Sequence, residues 1–441
     1  MKEDKYIKII YNSTVVFLIF FGVLFFFTEK KDVSDVEKRS LQQAPKFALN
    51  EIKDGRFAKE SENFYSDQFP LRDAFLAVNN AIERSYGAFK LNDDDITFIS
   101  TERSEGGAGD MLVRQKGNLS FNDKVKIFSE NNRTPKNPLE NESIEEDQKS
   151  GVVIRKDQGM EVFYFSKKLS NHYANLLNSF QKSLPNNVRL FNILVPTAIA
   201  FYGTDELKTG AHSTIDAINA AYSAMSDKII KVDSYTSLYR HMDEYIYLRT
   251  DHHWNARGAY YSYVSFCKVA GLEPTLLEDM SIKQPGDTFL GTLYSMSGKN
   301  PAFKKNPDKA EFIFPKNYGS AKQYCYSNEF LSDPIKTPLL DLDGKAKNHY
   351  IRYNGGDSPV SVIIGGKKDA GSVLVIKESY GNAFYPFLMD NYEKVYAVDP
   401  RSFTGNIINF INTYHINDVI VLNYSFTMGN KKWLNGFENL F

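Results

Sequence analysis

The sequence predicts an α/β fold, a mostly parallel sheet with helices on both faces. Three observations predict it. Short apolar runs at Arg189 to Val195, Ile229 to Val232, Val373 to Ile376, Val395 to Val398 and Val419 to Leu422 have the length and continuity of strands buried on both faces. A helical stretch separates each run from the next, as crossovers between parallel strands require. No internal repeat is present, which argues against a solenoid or propeller.

In chain order, Lys2, Lys5 and Lys8 precede an apolar stretch from Ile9 to Phe27, in which Asn12, Ser13 and Thr14 are the clearly polar residues. Such a stretch rises about 30 Å as a helix, roughly one bilayer core. No small-x-small cleavage pattern follows it, so it reads as an uncleaved signal anchor. The expected layout is a cytoplasmic tail at 1–8, a transmembrane anchor at 9–28, a linker at 29–50 and an extracytoplasmic domain at 51–441. Lys30 and Lys31, just beyond the anchor, run against the usual charge asymmetry of orientation.

From Glu51 to Tyr86 the apolar spacing is helical, with a break at Phe69-Pro70. Asp67-Gln68-Phe69-Pro70-Leu71-Arg72 reads as a compact turn into a helix. Residues 102–150 combine Gly, Asn, Glu, Lys and Pro with few apolar side chains and read as a flexible insertion with a short strand at Met111 to Val113. Val152 to Ile154 and Val162 to Phe165 suggest a hairpin around Gly159. Helices are expected at Lys168 to Leu184, His212 to Lys228, Asn255 to Val269 (stopping at Gly271), Ala383 to Asp390 and Gly405 to Tyr414. The segment from about 280 to 370 is rich in Gly, Pro and Asn and reads as a long insertion lining or covering the site.

Net charge is −1 with both signs well mixed, which gives no electrostatic footprint for nucleic acid. The 27 Tyr and 33 Phe fit a large core, and any exposed ring could stack on a sugar. Cys267 and Cys325 could form one disulfide, but they show no metal or redox spacing and read rather as two buried thiols.

Chemistry concentrates in two segments, Thr250-Asp251-His252-His253-Trp254 and Lys377-Glu378-Ser379-Tyr380-Gly381-Asn382. A carboxylate two residues from an imidazole on one loop can hold one ring nitrogen, leaving the other to take a serine proton. Ser379 follows an apolar strand and precedes a helix, so it belongs at the carboxyl end of a strand, where open α/β sheets bind ligands. Gly381 allows close backbone approach there and Asn382 could add an amide, which makes both oxyanion candidates. Duller roles stand beside these. Ser379 or Asp251 could be a helix cap, His252 could pack beside Trp254, and Trp254 is either a sugar platform or a core wedge. A metal site from Asp251, His252 and His253, completed by His349 or His212, is disfavoured because adjacent histidines rarely share one ion.

At these residues the chain resembles a known family. Thr250 to Trp254 with Gly258-Ala259-Tyr260 is similar to the signature of the bacterial DHHW proteins, relatives of the alginate O-acetylation proteins within the SGNH hydrolase-like acyltransferases. Supporting echoes are Asp67 to Arg72, Asn354-Gly355-Gly356-Asp357, Ser379 to Asn382 and Asp399-Pro400-Arg401. The resemblance implies a three-layer α/β/α SGNH hydrolase-like domain that O-acetylates a secreted or cell-surface bacterial polysaccharide. Ser379 would be the nucleophile, His253 the general base and Asp251 its orienting carboxylate. Arg401 and Tyr385 would border the site, by analogy with polar groups near the serine of relatives. Asp251 and His253 precede the serine, the order of the alginate-acetylating branch. A membrane-bound O-acyltransferase is the implied acetyl supplier, and no metal or cofactor is implied. Acetyl esterase activity, or a non-catalytic polysaccharide-binding or assembly subunit, are the alternatives.

Overall fold

The computed structural model describes residues 20–32, 41–45, 47, 56–72, 74–75, 138–139, 144–147, 151–342 and 350–441. The tail at 1–8, the first part of the anchor at 9–19, most of the 102–150 insertion, including Met111 to Val113, and His349 lie outside them. The chain forms two compact units, Met1–Lys90 and Leu91–Phe441.

In the first unit, residues 20–27 are helical and a second helix spans Arg56–Asp67. The second helix ends just before Phe69-Pro70, where the sequence places a break. Among the described residues no helix is long and apolar enough to cross a membrane.

The second unit is built on one eight-stranded sheet. Its strands are β1 (Arg189–Val195), β2 (Ile229–Val232), β3 (Lys322–Tyr326), β4 (Ile335–Thr337), β5 (Val360–Ile364), β6 (Ser372–Lys377), β7 (Lys394–Val398) and β8 (Asp418–Tyr424). Their spatial order is β4-β3-β5-β7-β6-β8-β1-β2. The five strands from β7 to β2 run parallel, and β5, β3 and β4 extend the sheet antiparallel at one edge. β6 is buried along its whole length, as its unbroken apolar run requires.

Helices cover both faces. Lys167–Ser183, Thr214–Ala224 and Lys431–Glu438 group on one side, and Ile407–Thr413 joins them through the Ile407 N–H bond to Leu440. On the other side Ser234–Arg240 packs on Ala256–Ala270, which also meets Gly381–Phe384 and the 3₁₀ turn Tyr385–Asp390. The Ala256–Ala270 helix is capped at the start by the Asn255 side chain and closed by Gly271 in a left-handed conformation.

Two expectations are corrected. The 280–370 segment is no mere insertion, because it supplies β3, β4 and β5. β3 and β4 carry polar residues at the sheet edge, and in β5 Ser361 interrupts a short buried run, so no long apolar run marks these strands. It also forms two small antiparallel pairs, Ser281–Lys283 with Phe312–Phe314 and Thr288–Phe289 with Asp308–Lys309. The hairpin near Gly159 turns instead at Lys156-Asp157 and pairs Val152–Arg155 with Gln158–Glu161, while Ile144–Asp147 adds a third strand. Gly159 is needed for close approach: a Cβ there would lie 2.5 Å from the Phe303 ring. Neither cysteine is disulfide-bonded. Cys267 is buried and Cys325 half-buried.

Candidate active site

Residues 246–255 form a tight loop. Tyr247 bridges Trp254, Leu248 N–H donates to the His253 carbonyl at 3.1 Å, and Asn255 N–H donates to Ile246 at 3.0 Å. Asp308, fully buried, ties down the approach to this loop. It accepts from the N–H groups of Arg249 (2.6 Å) and Thr250 (2.8 Å), the Thr250 hydroxyl (2.6 Å) and the Tyr245 hydroxyl (2.5 Å). Burial pushes its carboxyl up from the usual range despite these bonds.

At the loop's tip Asp251 Oδ1 lies 2.6 Å from His253 Nδ1, and His253 Nε2 lies 2.7 Å from Ser379 Oγ. Asp251 Oδ1 also accepts the His253 N–H at 3.1 Å, and Oδ2 accepts the Thr292 N–H and hydroxyl at 2.8 and 2.9 Å. A buried carboxylate with four such donors is fully satisfied. Burial alone would raise the Asp251 carboxyl. The charge and hydrogen bond of His253, followed by His252 and the Thr292 N–H, outweigh it and hold the group far below the usual carboxylate range. Gly291 makes room for this, since a Cβ there would stand 2.4 Å from the Asp251 carboxylate.

Asp251 and His253 are buried and Ser379 is partly open. The Tyr350 ring stacks on His253 at 3.7 Å between centroids and 12° between planes, which fixes the imidazole plane. With Nδ1–H directed at Asp251, Nε2 is left as the acceptor for the Ser379 hydroxyl. Ser379 follows β6, the strand between β7 and β8, at its carboxyl end.

Glu378 is the residue the sequence reading passed over. Its Oε2 lies 3.3 Å from Ser379 Oγ and accepts the Tyr380 N–H at 2.9 Å, while Oε1 accepts the Tyr424 N–H at 3.0 Å. Burial pushes its carboxyl up to about 7, against the two N–H bonds and the charge of Arg401. The signal was available: a charged residue closing an apolar strand must find partners when buried. Thr292, Gly291, Asp308 and Tyr350 were missed as well, all from the segment read as an insertion.

The structure places the remaining candidates differently. Gly381 N–H bonds Glu378 O and Asn382 N–H bonds Ser379 O, each at 3.0 Å, so both close the turn rather than face a substrate oxygen. The Gly381 position lies against the Lys377 side chain, 2.6 Å from where a Cβ would be. The Asn382 amide donates to Asp357 at 2.9 Å. Trp254 is fully buried with its indole N–H on the Tyr380 carbonyl at 2.9 Å, which makes it a core wedge with no face for a sugar. Tyr385 is fully buried beside Gln323 and lines no open surface. Arg401 binds Asp399 and Asp357, and Asp357 in turn holds Lys377 and Asn382, so Arg401 is tied to the turn through Asp357. His252 packs against His253 and burial lowers its pKa, with the charge of His253 adding to this. Donor atoms of Asp251, His252 and His253 lie within 4.8 Å of one another, but Asp251 and His253 are already bonded to each other. His212, the other proposed metal partner, bonds the Phe163 carbonyl instead.

The model of the DHHW protein family matches residues 118–398. The chain belongs to the DHHW family. A DHHW family protein from Eubacterium siraeum has 28% identity and a TM-score of 0.60, covering 67% of this chain and 97% of that one. Bacillus cereus PatB1, solved with a sulfonyl adduct, has 16% identity and a TM-score of 0.52 over 65% of this chain and 96% of its own, a likeness of fold. The O-acetyltransferase domain of Pseudomonas putida AlgJ aligns at 12% identity over 68% of this chain and 99% of that domain, with a TM-score of 0.37, too weak to bear on the chemistry. No curated protein sequence matches this DHHW chain.

Proposed function

We propose that this DHHW protein is a serine acyltransferase that O-acetylates a secreted or cell-surface bacterial polysaccharide. The observation that carries the reading is the continuous chain from Asp251 through His253 to Ser379, with both links under 2.8 Å. As Ser379 Oγ attacks the acetyl carbonyl, His253 Nε2 takes its proton. The donor's leaving oxygen departs with that proton and an acetyl-serine remains. A sugar hydroxyl then gives its proton to His253 as its oxygen attacks the ester. Ser379 leaves and recovers the proton, while Asp251 stabilises the imidazolium in both steps. With water as the acceptor the same steps hydrolyse an acetyl ester.

Under this reading residues 9–28 anchor the chain, residues 29–441 stand outside the cytoplasm, and a membrane-bound O-acyltransferase supplies the acetyl group. The sulfonyl adduct of PatB1 suggests a direct probe, since sulfonyl reagents capture activated hydroxyls.

The test is release of p-nitrophenol from p-nitrophenyl acetate by the chain lacking residues 1–28, with sulfonyl fluoride labelling followed in parallel. Activity and labelling should both disappear in Ser379→Ala, activity should fall in His253→Ala, and EDTA should change neither. Activity that survives Ser379→Ala removes the serine mechanism. Loss with EDTA would favour a metal at Asp251, His252 and His253. An inert wild type would favour a binding or assembly subunit.

A further inference from the structure

The Asp67-Gln68-Phe69-Pro70-Leu71-Arg72 turn plays no part in the chemistry above, yet its Asp67 and Gln68 side chains are both committed. Gln68, nearly fully buried, grips the main chain of Lys31 on both sides. It accepts the Lys31 N–H at 3.0 Å and donates to the Lys31 carbonyl at 2.8 Å, and the same amide donates to the Gln42 carbonyl at 3.0 Å. Asp67 accepts the Gln42 N–H at 2.9 Å and pairs with Arg72 at 3.7 Å. The turn therefore clasps the chain just after the apolar run ends.

The clasp fixes a depth. Phe69 stacks on Phe21 with centroids 5.2 Å apart and planes 12° apart, and Phe75 meets Phe21 at 5.8 Å. Phe21 lies six residues before Phe27, the end of the helical stretch, which is about 9 Å of helix rise. Rings stacked on Phe21 share its level, well inside the end of the apolar run. Exposed apolar side chains gather at this end: Leu71 is 62% exposed, Phe75 46% and Tyr65 42%. The N–H groups of Gln68, Arg72, Ala74 and Phe75 are bonded within the segment, as a low-polarity setting demands. Leu71 stands at the tip with φ of 60°, a left-handed conformation that a branched side chain adopts at a cost. Aromatic rings flanked by polar groups are the usual furniture of a bilayer interface.

We infer that residues 67–72, with Ala74 and Phe75, form a membrane-dipping element, clasped by Gln68 to the exit of the anchor, with Leu71 and Phe75 among lipid at the headgroup–acyl boundary. This rests on the reading of residues 9–28 as a membrane anchor, and it gives the motif a lipid-binding role distinct from the serine chemistry.

The test uses the full chain in phospholipid nanodiscs, in a Cys325→Ser background with the buried Cys267 retained. An environment-sensitive fluorophore is attached in turn at Val23→Cys, Leu71→Cys and the exposed Lys368→Cys, and quenched by lipids spin-labelled near the headgroup. Probes at positions 23 and 71 should both be quenched, the second at least half as strongly as the first, relative to an unquenched probe at 368. Adding Gln68→Ala should halve the quenching at 71 and leave that at 23 unchanged. If 23 is quenched and 71 is not, the dip is wrong and the anchor stands. If 23 is not quenched, the anchor reading fails and takes the dip with it. Quenching at 71 that ignores Gln68→Ala overturns the clasp.

Discussion

Thr292 donates twice to the same carboxylate oxygen of Asp251, through its N–H at 2.8 Å and its hydroxyl at 2.9 Å. The other oxygen is thereby free to serve His253. Orientation of the imidazole depends on a residue 41 positions downstream of Asp251 that bonds the carboxylate rather than the ring. Removing the hydroxyl by Thr292→Val leaves the N–H bond and deletes one bond to a charged acceptor, worth about 1.5–3 kcal/mol. Part of that should appear as a kcat about tenfold lower on p-nitrophenyl acetate with KM little changed, and Thr292→Ser should restore it. A Thr292→Val enzyme as fast as wild type would show that the N–H alone orients Asp251.

Asp251→Asn tests the next link. An amide fits the site's shape, but it can present its NH₂ to His253 Nδ1, which forces the proton onto Nε2 and removes the acceptor for the Ser379 hydroxyl. The loss of kcat should be on the order of 10³-fold or more. The melting temperature should move much less than in a cavity-forming variant, because the packing around Thr292 and Gly291 persists. An unchanged rate would take Asp251 out of the mechanism.

Particular residues explain what could be read in advance. Asp251 and His253 are two apart on one loop, and Ser379 ends a strand whose apolar run is unmistakable, so their meeting followed from local pattern and one topological rule. β1, β2, β6, β7 and β8 were visible for the same reason: they lie in the parallel part of the sheet, and β6, like most of their positions, is buried throughout. β3 and β4 are half-exposed, with Lys322 and Lys336 turned to solvent, and their alternation was too short to stand out. Thr292 and Asp308 act through tertiary contacts made by aperiodic chain, which carries no spacing signal. Trp254, Gly381 and Asn382 adjoin His253 and Ser379 in the chain, but packing decided their roles. The indole filled the core, and the two N–H groups closed the turn at Glu378 and Ser379.

Glu378 supplies the pH dependence. Its folded carboxyl is raised to about 7 by burial, opposed by the N–H groups of Tyr380 and Tyr424 and by Arg401, with Asp357 adding to the rise. An unfolded chain would release this proton near the ordinary glutamate value of about 4.3. Between those values the native state holds more protons than the unfolded state, so this group's contribution to stability falls as pH rises through the window and levels off above it. At about 1.4 kcal/mol per pH unit the full effect is a few kcal/mol. Glu378→Gln cannot ionise. It keeps one acceptor oxygen for Tyr380 or Tyr424 and loses the other bond, so it should be the less stable protein at pH 4.5. Wild type should then lose ground against it steadily up to about pH 7 and no further beyond pH 8. Thermal melts of both proteins across that range decide the matter, and a gap that stays constant with pH would show that Glu378 ionises with its ordinary affinity in the fold.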